Sequence, residues 1–270
     1  MKLSKRQIAT QAKCEEFLKK DKLTLDEKEF VYENWHEGAT NINSTAGAFF
    51  TPYGLARDFQ LEICNGQKTV DLCAGIGMLS FVAYHYQGCR DITCIELNED
   101  YVRVGKKLLP EAKWINGSVF DIGNEHYEQA ISNPPFGKIK TGLSDRKLKY
   151  KGAEFDLKVI DLASQVADRA TFILPQASTP FIYSGAQGFK DLRFTDKDKL
   201  PAKVAKFIKE TGVEYEFNMG LCTEAHIKDW KGVSPMCEIV NFHFEHENEV
   251  VEEVEEIESN EQESAQLSFL

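Results

Sequence analysis

Hydrophobic and polar positions change their period along this chain. Up to residue 48 the apolar positions keep helical spacing. Phe30, Val31 and Trp35 share one face, behind a Thr24-Leu25-Asp26-Glu27 run that has the form of a capping box. From Lys68 onward short apolar runs take over, at Thr69–Leu72, Ile92–Ile95, Lys113–Ile115, Ala130–Ser132 and Thr171–Leu174. Amphipathic stretches near 76–87, 98–109 and 155–168 separate them. Strands alternating with helices predict right-handed βαβ units and a mostly parallel sheet. A further helix is expected over Leu200–Thr211. Glu214–Gly220 and Met236–Phe244 follow it, and the alternation in the second predicts an antiparallel pair at the sheet's end. The expected plan is a helical extension over 1–48, an α/β body over 49–244 and a tail over 245–270.

Charge sharpens this picture once it is located. The chain has 270 residues and a formal net charge of −11, with 43 acidic and 32 basic residues. Ten glutamates fall between Glu245 and Glu263, and no Lys or Arg follows Lys231. Removing those ten leaves 33 acidic against 32 basic residues, so the body is nearly neutral and free to carry a basic face. The tail has the composition of a disordered segment. No apolar run reaches membrane-spanning length and the first residues lack a signal-peptide core, so a cytoplasmic protein with no membrane association is expected. The seven cysteines form no Cys-x-x-Cys pair and several sit in strand-like runs, which reads as reduced core thiols with no metal site.

The candidate chemistry lies at strand ends. Ser132-Asn133-Pro134-Pro135-Phe136-Gly137 follows the apolar run that ends at Ile131. Two prolines keep this turn rigid and out of a helix. It can offer the Asn133 amide oxygen and the Pro134 carbonyl as fixed acceptors with the Phe136 ring beside them. That set suits a planar group bearing an exocyclic amine. Upstream, Val70-Asp71-Leu72-Cys73-Ala74-Gly75-Ile76-Gly77 ends a strand and opens a helix, and its glycines let a backbone approach a ligand closely. Asp71 would accept from an amino group or orient the turn. Glu96, some 20 positions on at the next strand tip, is placed to bind both ribose hydroxyls of a nucleoside. Asp121, after a third strand, could accept from an adenine amine while Phe120 packs on the ring. Each feature has an ordinary structural explanation; their succession on strands one to four is what is specific.

In that order these residues resemble the class I S-adenosylmethionine-dependent methyltransferases, in particular the N6-adenine methyltransferases that bear Asn-Pro-Pro-Phe. Ala48-Phe49-Phe50-Thr51-Pro52 resembles the Phe-x-Thr-Pro segment of the gamma-class DNA enzymes, and Phe172-Ile173-Leu174-Pro175 their fifth strand. The resemblance spans residues 45–180. It implies a Rossmann-like class I methyltransferase fold and S-adenosylmethionine as cofactor. Phe50, Thr51, Pro52, Asp71, Ala74, Gly75, Gly77, Glu96, Asp121 and Asn133 would then be the cofactor contacts, with Asn133, Pro134, Pro135 and Phe136 at the reacting amine. The implied activity is adenine-specific methylation of DNA. RNA N6-adenine methylation and a non-catalytic methyltransferase-fold binding subunit are the alternatives. Two departures stand out. The glycine motif reads Asp-Leu-Cys-Ala-Gly-Ile-Gly instead of Asp-Pro-Ala-Cys-Gly-Ser-Gly, and no large target-recognition domain follows the body. No cysteine follows a proline, which excludes the nucleophile of cytosine-C5 enzymes.

Lys138, Lys140, Arg146, Lys147, Lys149 and Lys151 follow the Pro-Pro turn with only Asp145 against them, a pattern expected for phosphate contact or for an ordinary solvated run. Residues 178–199 read as a long second substrate loop, with Phe181, Tyr183 and Phe189 as base contacts or core anchors. Gln266-Leu267-Ser268-Phe269-Leu270 resembles the bacterial sliding-clamp docking pentapeptide, with Phe and Leu in swapped order.

Overall fold

The computed structural model describes residues 4–36, 49–139 and 147–245. Lys140, Arg146 and the pentapeptide Gln266–Leu270 therefore lie outside the described residues. Two helices come first, α1 (Lys5–Leu18) and α2 (Leu25–Asn34). Thr24 caps α2 through the box read from sequence: its side chain accepts from Glu27 N–H while the Glu27 side chain accepts from Thr24 N–H. A short α3 (Tyr53–Phe59) leads into the alternating body.

That body runs β1 (Thr69–Leu72), α4 (Met78–Tyr86), β2 (Ile92–Glu96), α5 (Glu99–Leu108), β3 (Lys113–Asn116) and β4 (Tyr127–Ser132). It continues through α6 (Phe155–Ala163), β5 (Ala167–Pro175), the small hairpin β6 (Phe181–Ile182) and β7 (Lys190–Asp191), and α7 (Leu192–Thr195). It closes with α8 (Ala202–Thr211), β8 (Glu216–Phe217) and β9 (Cys237–His243). The seven-stranded sheet has the order β3-β2-β1-β4-β5-β9-β8. β1 to β5 are parallel, and β9 is antiparallel to both its neighbours. The order reverses between β1 and β4, and that switch point is where an open α/β sheet leaves a crevice at its carboxyl edge. Val70 pairs with Ala130 and Asp71 with Ile131, so the turns after β1 and β4 emerge at one level. Ser132 Oγ donates to the Leu72 carbonyl and fastens the two strand ends.

Each face of the sheet carries its own core. Ile131, Ile173 and Ile239 pack with α2, α3, α4 and α5; Ala130, Phe172, Val240 and Phe242 pack with α6 and α8. The period of two along each strand divides these sets between the faces. The N-terminal helices belong to the first core. Val31, Tyr32 and Trp35 are buried in it, and the Tyr32 hydroxyl donates to the Gly77 carbonyl at 3.2 Å.

Two expected boundaries move. The helix expected to reach residue 168 ends at Ala163, and β5 starts at Ala167, earlier than Thr171. Asp168 and Arg169 mask the strand's start in the sequence, yet they form its polar amino end, where His126 Nε2 and Asp168 Oδ1 lie 2.7 Å apart. Residues 178–199 hold a hairpin and a helical turn instead of a continuous loop. Phe181 is fully buried, as a core anchor, and Tyr183 and Phe189 pack on Phe217.

Candidate active site

A cavity of about 620 Å³ opens at the carboxyl ends of β1 to β4, a size that suits a nucleoside-sized ligand. Its floor is the turn after β1. Cys73, Gly75 and Gly77 all take left-handed φ values, of +67°, +58° and +87°. For Cys73 that conformation costs about 1 kcal/mol, because its Cβ meets the carbonyl that follows. At Gly75 there is also no room for a side chain, since a Cβ would lie 3.2 Å from the Phe50 ring. Phe50 is in turn held edge-on by Tyr101, at 4.9 Å between centroids, and packs on Trp35 at 5.6 Å. The absence of a side chain at Gly77 serves packing, because a Cβ there would come within 2.9 Å of Trp114.

The acidic residues of the first two strands behave differently. Asp71 is buried, and its Oδ2 accepts from both the Ser80 hydroxyl (2.7 Å) and the Ser80 N–H (3.2 Å). It ties β1 to the start of α4 and so orients the turn. Burial pushes its carboxyl up to about 7. Glu96 at the tip of β2 accepts from Gly75 N–H at 2.9 Å with one oxygen and from Asn98 N–H at 2.8 Å with the other. Burial raises its pKa as well, against the pull of those N–H groups. An ionised carboxylate offers about four acceptor positions, so these donors leave it acceptor capacity for a ligand. Asp121 and Phe120 border the cavity beyond β3, with Phe120 edge-on to Phe155 at 5.5 Å.

Asn133 occupies the side formed by β4. Its amide nitrogen donates to Thr51 Oγ1 at 2.9 Å and to the Phe49 carbonyl at 3.2 Å. The Phe49 carbonyl can only accept, so the amide is fixed with its oxygen turned the other way. That oxygen, Oδ1, is buried and has no hydrogen-bond partner among the described residues. A buried orphan acceptor costs about 1–3 kcal/mol unless a ligand supplies the donor.

Of the residues read from the sequence, Phe50, Thr51, Asp71, Ala74, Gly75, Glu96, Asp121, Asn133 and Pro135 line this one cavity. Pro52, Gly77, Pro134 and Phe136 lie outside its lining. Pro52 is buried at the start of α3, and Phe136 is half-buried against the first core. Lys138, Lys147, Lys149 and Lys151 are exposed. The sequence reading missed Leu97, which lines the cavity while 72% exposed, and Phe155 from α6. Leu97 carried a usable signal: a large apolar residue between Glu96 and Asn98, in a short strand-to-helix turn where nothing covers it.

No family model matches the sequence, and no curated protein matches it. Solved structures do resemble the fold. A class I S-adenosylmethionine-dependent methyltransferase from Listeria monocytogenes is 12% identical, with a TM-score of 0.53 over 91% of this chain and 82% of that one. A modification subunit of a type I restriction enzyme from Vibrio vulnificus is 14% identical with the same TM-score, over 81% of this chain and 49% of that one. This chain thus spans about half of that subunit. A Pyrococcus horikoshii protein described as an RNA methyltransferase is 19% identical, with a TM-score of 0.49 over 82% and 99% of the two chains. The sheet order and the likeness to the Listeria monocytogenes protein define the Rossmann-like class I methyltransferase fold. Among the described residues no helix is long and apolar enough to cross a membrane.

Proposed function

We propose that this chain transfers a methyl group from S-adenosylmethionine to the N6 amine of adenine in DNA. The observation that carries this reading is Asn133 Oδ1, a buried acceptor without a donor, fixed by Thr51 at the switch point of the sheet. An exocyclic amine supplies the missing donor; the resemblance to the N6-adenine enzymes gives its second N–H to the Pro134 carbonyl, although Pro134 is buried outside the cavity's lining here.

The residues present fit the cofactor. Glu96 keeps acceptor capacity for a ribose hydroxyl, Asp121 and Phe120 suit the adenine end, and Gly75 and Ala74 line the cavity between them. When bound, S-adenosylmethionine supplies an electrophilic methyl on a sulfonium. Asn133 and Pro134 do the rest by positioning. Each accepts one amine hydrogen, which shifts electron density onto the nitrogen and aims its lone pair. Correct placement of two reactants is itself worth many powers of ten in rate, so a strong general base is not required. In a duplex the adenine must first leave the stack, and the resemblance gives Phe136, which here packs half-buried on the first core, the stacking of the extruded base.

The test is transfer of labelled methyl from S-adenosylmethionine to unmethylated duplex DNA, single-stranded DNA and total RNA in parallel, with nucleoside mass spectrometry of each product. N6-methyladenine in DNA is the expected result. Label in RNA alone overturns the choice of substrate. No label in any nucleic acid and no cofactor binding by calorimetry overturn the enzymatic reading in favour of a binding subunit; no label with the cofactor still bound points to a missing partner subunit.

A further inference from the structure

The basic stretch after the Pro-Pro turn does not stand alone. Its stem closes on that turn, because Phe155 N–H donates to the Gly137 carbonyl at 2.7 Å and Lys138 bridges Glu154. Its second arm leans on α8, more than fifty residues away in sequence. Tyr150 is the anchor. It is buried, its N–H donates to Asp161 at 2.6 Å, its hydroxyl donates to Glu154 at 2.6 Å, and its ring meets Phe207 of α8 edge-on at 5.4 Å. Lys151 N–H donates to Glu210 of α8 at 2.8 Å. Lys206 lies 6.0 Å from the centroid of the Tyr150 ring, and Lys209 is its neighbour three positions on along the exposed side of the helix.

The carboxylates of this region are already engaged. Glu154 takes the Tyr150 hydroxyl, and Glu210 takes the Lys151 N–H with Lys206 a further 3.9 Å away. Among the described residues no ion pair engages Lys147, Lys149, Lys151 or Lys209. Several exposed cations without counter-ions therefore share one surface in a body that is close to neutral overall. A polyanion with regularly spaced charges relieves that repulsion along its whole length, and releases its own condensed counter-ions in doing so.

We propose that Lys206 and Lys209 of α8 join Lys147, Lys149 and Lys151 in one phosphate-binding track that holds the DNA backbone beside the Asn133 turn. The track rests on the reading of this chain as a DNA methyltransferase and names the surface that holds its substrate. It gives the body its own affinity for the DNA backbone; these contacts position the duplex and do not read its bases.

The experiment is fluorescence anisotropy of a labelled mixed-sequence DNA duplex with the full chain across a series of salt concentrations. It compares wild type, K206A/K209A, K147A/K149A and a control, K19A/K106A, which removes equal charge from α5 and the end of α1 on the opposite core face. Each lost phosphate contact should flatten the log–log salt slope by about 0.9. Both track variants should flatten it by about twice that and weaken binding about tenfold or more at low salt, while the control matches wild type. Unchanged thermal melting and S-adenosylmethionine affinity establish that each variant is folded. A wild-type slope in K206A/K209A overturns the track. If wild type also methylates DNA, the reading of Asn133 survives that loss. A flattened slope with no methyl transfer by wild type keeps the track and overturns the reading instead.

Discussion

Thr51 Oγ1 accepts a hydrogen bond from the Asn133 side-chain nitrogen at 2.9 Å, across 82 positions of sequence. Together with the Phe49 carbonyl, that contact lets the segment before α3 decide which way the amide after β4 faces. Swapping the amide's oxygen and nitrogen would set its oxygen against the Phe49 carbonyl, acceptor against acceptor.

Thr51→Val keeps the shape of residue 51 and removes the acceptor. The amide then loses one of its two anchors, and methyl transfer should slow roughly tenfold, in line with one lost hydrogen bond of about 1 kcal/mol plus misalignment. Thr51→Ser should restore the rate. Single-turnover kinetics with saturating cofactor will read both.

Asn133→Ala removes the buried acceptor itself. Loss of a positioned transition-state contact of this kind costs about 100-fold or more in rate. Cofactor affinity, measured by calorimetry, should stay within a few-fold because Glu96 and the glycine turn are untouched. Loss of cofactor binding would show that Asn133 belongs to the cofactor pocket alone.

Asp71 links folding to pH. Its carboxyl is held near 7 by burial, above its ordinary value of 3.8, so the folded state retains a proton that the unfolded chain releases. The sign follows: this residue's contribution is most favourable below about pH 4, falls as pH rises toward 7, and is constant above that. Asp71→Asn should flatten stability between those limits, a difference of a few kcal/mol by urea unfolding at several pH values. Parallel pH curves for the two proteins would refute the assignment.

Glu238 on β9 is buried and receives four donors: the N–H groups of Tyr183 and Ser184, the Ser184 hydroxyl and the Gln176 amide, all within 2.9 Å. Glu238→Ala leaves those donors without acceptors and should destabilise the protein by about 3 kcal/mol. Hydrogen exchange should rise first at residues 176–191, which this carboxylate pins to the sheet.

Much of the fold was legible because it rests on local rules. β1 falls on the four residues its apolar run marked, and Thr24 caps α2 as the Thr-x-x-Glu spacing required. The strand-end residues Glu96, Asp121 and Asn133 share a cavity because a switch point gathers strand ends by topology. What stayed hidden depends on partners distant in sequence. Nothing local marks Thr51 as the residue that orients Asn133, or Phe207 as the support of Tyr150. The start of β5 was obscured because two charged residues form its solvated end. Gly77 and Gly75 look alike in the motif, yet one faces Trp114 and the other Phe50, and only the packing separates them.

The burial of α1 and α2 bears on how the chain is made. These helices leave the ribosome before the elements they pack on, at 14 and 10 residues, lengths at which isolated helices barely persist in water. Their aromatic face is completed by Phe81, Gly77 and Tyr101, which Tyr32 and Trp35 contact and which are synthesised much later. The two helices therefore wait, with Tyr32 and Trp35 uncovered, until Tyr101 has emerged. Their docking coincides with formation of the glycine turn, so residues translated before the sheet settle only once its first strands are made.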